Sequence, residues 1–284
     1  MSSELNCSQI INHDRYPIGE YDNPLRTAAI EQVRAELAED GCAVVREFFS
    51  PAGLEALLDE ASTRKEKAYF SPKKQCNVYL NDGDDNFPEN HPVNIFIPRT
   101  NGFITADNFG EETASHRLYH WEPLKRFLQE CLGKDELHIY EDPVSNMIVN
   151  VGQPGQQFNW HFDTNEFTIT MLLKPAQSGG IFEYVPGLRN SQDECYDDVM
   201  DVLQGDRSRV RQLKLNAGDL QFFLGRFSLH QVTENTGDTD RLLLIMSFAE
   251  TAGMIGSKER VQNLYGKTTQ AHDQREVPAD GLVD

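Results

Sequence analysis

In the stretch NWHFDTNEFTITMLLKP, residues 159–175, a histidine and an aspartate stand two positions apart just before an apolar run. On an extended chain residues two apart point to the same side, so His161 and Asp163 can bite one metal ion together. The pattern alone is weak: with eight histidines and 45 acidic residues in 284, chance supplies about one His-x-acid pair. A second is present, His120-Trp121-Glu122, but it sits where a helix begins, and favourable charge at a helix N-terminus is the simpler account of Glu122. Two residues further along the chain lift His161 and Asp163 above chance. His230, 67 residues past Asp163 in GRFSLHQVTENT, supplies a third donor, and Arg241 comes 11 residues later. Two histidines and a carboxylate on one face leave three cis positions of an octahedral Fe(II) open, and a nearby arginine can hold a cosubstrate carboxylate through a bidentate pair. Arg241 opens the apolar run LLLIMSF, which puts a guanidinium at the edge of a buried strand, where it needs an anion.

The elements that must position these residues are legible in outline. NPLRTAAIEQVRAELAEDG has helical spacing of Leu25, Ala29, Val33 and Leu37 and stops at Gly41. CAVVREFF follows as a β-rich run, and Ser50 with Pro51 opens a second helix, PAGLEALLDEASTRKEKAYF. Residues 71–116 are dense in Asn, Asp, Gly and Pro, as suits loops and short strands over a binding face. A third helix is expected from Trp121 to Leu132. From residue 137 the pattern turns to β: ELHIY, SNMIVNVG, QFNWHFD, FTITMLLKP, GIFEYVP, VRQLKLNAGDLQFFLG, LHQVTENT and RLLLIMSFAE, separated by turn residues. Closely spaced short strands without intervening helices predict a sandwich or barrel, with a helix-containing insertion near 190–209. The first twenty residues are expected to be a loose arm and the polar end, TTQAHDQREVPADGLVD, to fray.

Composition bounds the partners. With 26 basic residues against 45 acidic ones the net charge is −19, which opposes binding to nucleic acid or anionic membrane. No stretch approaches the roughly 18–20 apolar residues of a membrane span, and MSSELNCSQI lacks the plan of a signal peptide, so a cytoplasmic protein, monomeric or homodimeric, is expected. Five scattered cysteines without a CxxC argue against a disulfide framework or thiolate metal site.

HFD, then a histidine, then an arginine 11 residues on resembles the iron(II)- and 2-oxoglutarate-dependent oxygenases. EDGCAVVREFFSPAGLEALLDEA is similar to the helix, strand and helix ahead of the barrel in the phytanoyl-CoA and prolyl hydroxylase-like branches. Within that superfamily, NWHFDTNEFTITMLLKPAQSGGIFEYVPGLR with GRFSLHQVT resembles the branch of amino-acid radical halogenases and their hydroxylase relatives. The resemblance implies a mainly β double-stranded β-helix, jelly-roll and cupin-like, with N-terminal and flanking helices. It implies one oxygenase domain over 1–284: a helical, loop-rich part over 1–136, the barrel over 137–252, and a C-terminal extension over 253–284. It also implies Fe(II) on His161, Asp163 and His230, 2-oxoglutarate paired with Arg241, O2 as cosubstrate, and hydroxylation of an unactivated C–H of a small substrate, a free amino acid or derivative, with release of succinate and CO2. Halogenases of the branch have Gly or Ala in place of Asp163 and seat chloride there; the carboxylate therefore implies hydroxylation. Thr168 or Thr170 would donate to the same cosubstrate carboxylate as Arg241. Arg99, Arg226 and Thr164 are the substrate-binding candidates. A non-oxidative metal-binding cupin, or a zinc hydrolase with Glu166 as general base, is the competing reading of the same face.

Overall fold

The computed structural model describes residues 5–273 and Leu282. Two antiparallel sheets face one another. The larger has seven strands in the order Cys42–Val45, Leu220–Phe223, Thr168–Lys174, Arg241–Met246, Met147–Gly152, Gly102–Ile104 and Tyr69–Phe70; the smaller has four, in the order Arg211–Leu213, Phe182–Val185, Leu229–Val232 and Phe158–His161. Strands far apart in sequence are thus neighbours in space, the crossed order of a double-stranded β-helix.

Alternation along the larger sheet sorts its two faces. Ile169, Met171, Leu220, Phe222, Leu242, Leu244, Met147 and Val149 join the main apolar core, which also takes Ile30, Val33, Leu57, Leu124 and Phe127 from the helices Pro24–Asp40, Pro51–Thr63 and Glu122–Leu132. The residues between them (Thr168, Thr170, Gln221, Arg241, Leu243, Asn150) face the other way and line a cavity of about 150 Å³ between the sheets. A period-two strand lets one sheet bind a helical layer with one face and build a site with the other. Ser50 caps its helix as expected, its Oγ accepting from Gly53 N at 2.9 Å, and Asn23 caps the preceding one by accepting from Leu25 N.

Several expectations change. The second helix ends at Thr63 rather than running to Phe70, because a single 3-10 turn and a short strand come next. From residue 5 onward the N-terminal arm is not loose: Cys7–Ile10 is helical, and Ile10, Ile11 and Ile18 are buried, so their apolar surface anchors the segment. Of the C-terminal stretch, Lys258–Tyr265 forms a helix that lines the cavity, and His272 is fully buried against Asp142 at 3.0 Å. The fraying expected beyond residue 273 falls on 274–281 and 283–284, outside the described residues. The insertion carries the expected helix, Tyr196–Leu203. No helix among the described residues is long and apolar enough to cross a membrane.

Candidate metal and cosubstrate site

His161 ends the strand Phe158–His161, and its direct cross-strand partner is His230 on Leu229–Val232. This pairing brings two residues 69 positions apart to ring centroids 4.1 Å from one another. Asp163 lies just past the strand end, held by its N–H to Gly225 O at 3.1 Å. One donor atom from each of His161, Asp163 and His230 falls within 4.8 Å of the others, the one such group of three among the described residues.

Local hydrogen bonds aim the donors. His161 Nδ1 engages Asn159 O at 2.7 Å and His230 Nδ1 engages Ser228 O at 3.0 Å. A carbonyl oxygen only accepts, so Nδ1 is the donor in both rings and Nε2 is the nitrogen each ring turns toward a metal. Phe158 stacks on the His161 ring at 3.7 Å, and Phe223 packs edge-on to His230 at 4.8 Å. The Thr168 hydroxyl donates to Asp163 Oδ2 at 2.6 Å, while Asp163 Oδ1 faces His230 Nε2 at 3.6 Å, so one oxygen is tethered and the other points into the triad.

Protonation is set by these neighbours. Burial, and then the adjacent His230, keep His161 well below the ordinary imidazole range, with Asp163 opposing. Burial pushes the Asp163 carboxyl up, but His230, His161 and the Thr168 hydroxyl outweigh it and hold the group well below the usual carboxylate range. A neutral imidazole beside an ionised carboxylate is the state that coordinates a cation. The donor set therefore fits a divalent metal with open positions.

Arg241 is 4% exposed and lines the same cavity. Its Nη1 is buried without a hydrogen-bond partner among the described residues, and burial alone lowers its pKa to about 10. A buried cation with no counter-charge among the described residues fits an anionic ligand. Room for the arginine side chain is made at Gly180, where φ is +59° and an added Cβ would come within 3.2 Å of Arg241 Cδ and 2.9 Å of Ala176 Cβ.

The other expected residues separate. Thr164 lines the cavity. Thr168 and Thr170 line it too, but Thr168 spends its hydroxyl proton on Asp163, and Thr170 gives its own to Gln221 Oε1 at 2.9 Å. Each hydroxyl has one proton, so the expected bond to the cosubstrate carboxylate is not formed by either in this arrangement. Arg99 does not reach the cavity: its guanidinium lies 5.9 Å from the Phe158 ring centroid and lines a separate small cleft with Cys76 and Asn263. Arg226 is a strut, Nη1 donating to Thr164 O at 2.6 Å beneath the turn after Asp163. Glu166, the expected base of a hydrolase, pairs with Lys134 at 2.8 Å and does not line the cavity. His120 and Glu122 are bland, as expected: His120 packs on His116 at 4.3 Å and Glu122 pairs with Lys125 at 3.1 Å.

Sequence reasoning missed Arg260, Tyr265 and Asn165, all in the cavity wall. Val261, Leu264 and Tyr265 at helical spacing were the available signal for the C-terminal helix.

Comparison with known proteins places this architecture. Among curated proteins none matches in sequence. Three solved structures share the fold: AviO1 from Streptomyces viridochromogenes Tue57 (17% identity, TM-score 0.53, 80% of this chain and 96% of that one), an oxidoreductase of the 2OG-Fe(II) oxygenase family from Burkholderia pseudomallei (14%, 0.52, 78% and 91%), and the non-heme alpha ketoglutarate dependent epimerase SnoN from nogalamycin biosynthesis (17%, 0.52, 78% and 81%). The double-stranded β-helix is thus the fold of this chain. The sequence model of Halogenase D matches residues 97–265, more than half of the chain and the whole of the triad and Arg241. The chain belongs to the Halogenase D family.

Proposed function

We propose that this protein is an Fe(II)- and 2-oxoglutarate-dependent dioxygenase that hydroxylates an unactivated C–H of a small substrate, a free amino acid or close derivative. The observation that carries this reading is the conjunction of the three convergent donors with a buried Arg241 that has no counter-charge among the described residues, all in one cavity. A non-oxidative metal site or a hydrolase gives no account of that arginine.

His161 Nε2, Asp163 Oδ1 and His230 Nε2 would hold the metal, and Arg241 would hold the distal carboxylate of 2-oxoglutarate. When bound, iron with 2-oxoglutarate and O2 supplies C–H oxidation coupled to release of succinate and CO2. The chain does the aiming: the Nδ1 bonds lock both imidazoles, Thr168 tethers Asp163, and Phe158, Phe182 and Phe223 pack against the rings. Within a family named for halogenation, Asp163 favours hydroxylation, since the carboxylate fills the corner that chloride takes in the halogenases this chain resembles.

A screen of free amino acids tests the reading. Succinate release should require Fe(II), 2-oxoglutarate and O2, rise with the right amino acid, and accompany a product heavier by one oxygen. Asp163→Gly should abolish hydroxylation. A chlorinated product from the unmodified enzyme in chloride would overturn the hydroxylase assignment, and turnover independent of 2-oxoglutarate would overturn the whole.

A further inference from the structure

Among the described residues the cavity wall contains one more cation, and it lies on a different element from Arg241. Arg260 sits in the first turn of the helix Lys258–Tyr265, with Val261, Leu264 and Tyr265 of the same helix in the wall beside it. Arg241 opens the strand Arg241–Met246, whereas the segment leading into Arg260 docks beyond that strand's far end. There Tyr140 N bonds Ser247 O, and Gly256 N donates to Asp142 Oδ2 at 3.0 Å. No carboxylate of a described residue pairs with the Arg260 side chain.

Charge decides what the cavity can accept. Among the described residues its wall carries one carboxylate, Asp163, which the proposed metal would claim. The metal, Arg241 and Arg260, set against Asp163 and both carboxylates of 2-oxoglutarate, leave one positive charge in a half-enclosed space, so a further carboxylate is favoured there. Two more polar atoms are unanswered: Thr164 Oγ1 and Asn165 Oδ1 are buried, lack a hydrogen-bond partner among the described residues, and line the same wall. Both can accept from a donor. The rest is apolar, including Leu80, Phe103, Ile148, Val261 and Leu264. A substrate side chain bearing an ammonium would meet no acid of a described residue other than Asp163.

Resting on the function proposed above, we infer that Arg260 anchors the substrate carboxylate, that Thr164 and Asn165 receive its amino group, and that the substrate is an α-amino acid whose side chain is uncharged and aliphatic. The C-terminal helix is then the specificity element, and a cationic amino acid such as lysine is excluded because its side chain would be buried without a counter-charge.

The test is anaerobic calorimetry on protein carrying Mn(II), in two steps. Titration with 2-oxoglutarate comes first, then with alanine, valine, leucine, isoleucine, methionine, lysine and the carboxamide of each aliphatic member. At least one aliphatic acid should bind once 2-oxoglutarate is present, its amide and lysine on the order of a hundred-fold more weakly. Arg260→Gln should weaken that acid by on the order of a hundred-fold, with partial recovery in Arg260→Lys, while 2-oxoglutarate affinity stays close to wild type. Equal binding of acid and amide, lysine as the preferred ligand, unchanged acid affinity in Arg260→Gln, or no aliphatic acid bound to the 2-oxoglutarate complex would each overturn the inference and leave the oxygenase reading standing. Failure of the wild-type protein to bind 2-oxoglutarate with Mn(II) would instead overturn the function on which it rests.

Discussion

Arg241→Met should move stability and cosubstrate binding in opposite directions. Arg241 is 4% exposed, its Nη1 has no hydrogen-bond partner among the described residues, and burial takes its pKa from the ordinary 12.5 to about 10. Because the folded-state value is lowered, the cost of keeping the charge is fully present below pH 10 and is relieved as the pH rises toward 12.5. That difference is worth about 3 kcal/mol. Water in the open cavity offsets part of it, so replacing the guanidinium by an apolar chain of similar length should stabilise the ligand-free protein by about 1–3 kcal/mol. For a chain of this size the melting temperature should rise by roughly 2–6 °C. The same substitution removes the charge-assisted pair to 2-oxoglutarate and should weaken its binding on the order of a hundred- to a thousand-fold. Thermal melts with Mn(II), with and without 2-oxoglutarate, read both effects: wild type should gain stability from the ligand, and the variant should start higher and gain almost nothing. A variant that melts lower than wild type and keeps its 2-oxoglutarate shift would show that the arginine serves the fold rather than an anion.

Three other substitutions or reagents probe the supports of the site. A side chain at Gly225 would drive into the Asp163 carboxylate, so Gly225→Ala should cut Mn(II) affinity by at least about tenfold; unchanged metal titration would refute the packing argument. Asp142 is wholly buried and accepts from Val144 N, Ser145 N, Gly256 N and His272. Removing that acceptor in Asp142→Ala should cost about 2–4 kcal/mol and raise hydrogen exchange over 254–273 ahead of the sheets, whereas uniform exchange would argue against a local clasp. Burial pushes the thiols of Cys42 and Cys76 up to about 11, so iodoacetamide at pH 8 should alkylate the part-exposed Cys7 and Cys195 and spare those two in the native state. As both folded values are raised above 9.0, the stability these thiols contribute is complete below pH 9 and is lost as the pH rises through 11; a melting temperature flat across that window would contradict the assignment.

The triad was legible because its information is short-ranged. Two of its donors stand two positions apart at the end of a strand, and the third stands in a later β run with an arginine placed where apolar sequence would otherwise exclude one. Strand positions were legible for the same reason: apolar alternation and turn residues are local. The reading failed where a side chain's partner lies elsewhere in the chain. Thr168 looked like a cosubstrate donor until its bond to Asp163 was visible, and nothing in FIPRTNG says that Arg99 turns toward Phe158 and a separate cleft. Arg226 is adjacent to the site in sequence order, yet its guanidinium is spent on the Thr164 carbonyl.

By itself, then, the sequence determined the β class, the helical layer ahead of it, and which residues could hold a metal and an anion, because periodicity and residue chemistry are properties of single segments. Tertiary structure alone decided which cations face the cavity. The C-terminal helix, expected only as an extension, carries Arg260 to a wall assembled from strands of both sheets, and Arg99 and Arg226 are turned away from it. The reason is geometric: a cavity is the space left between elements, so its lining depends on how they pack across the whole chain and cannot be read from any one of them.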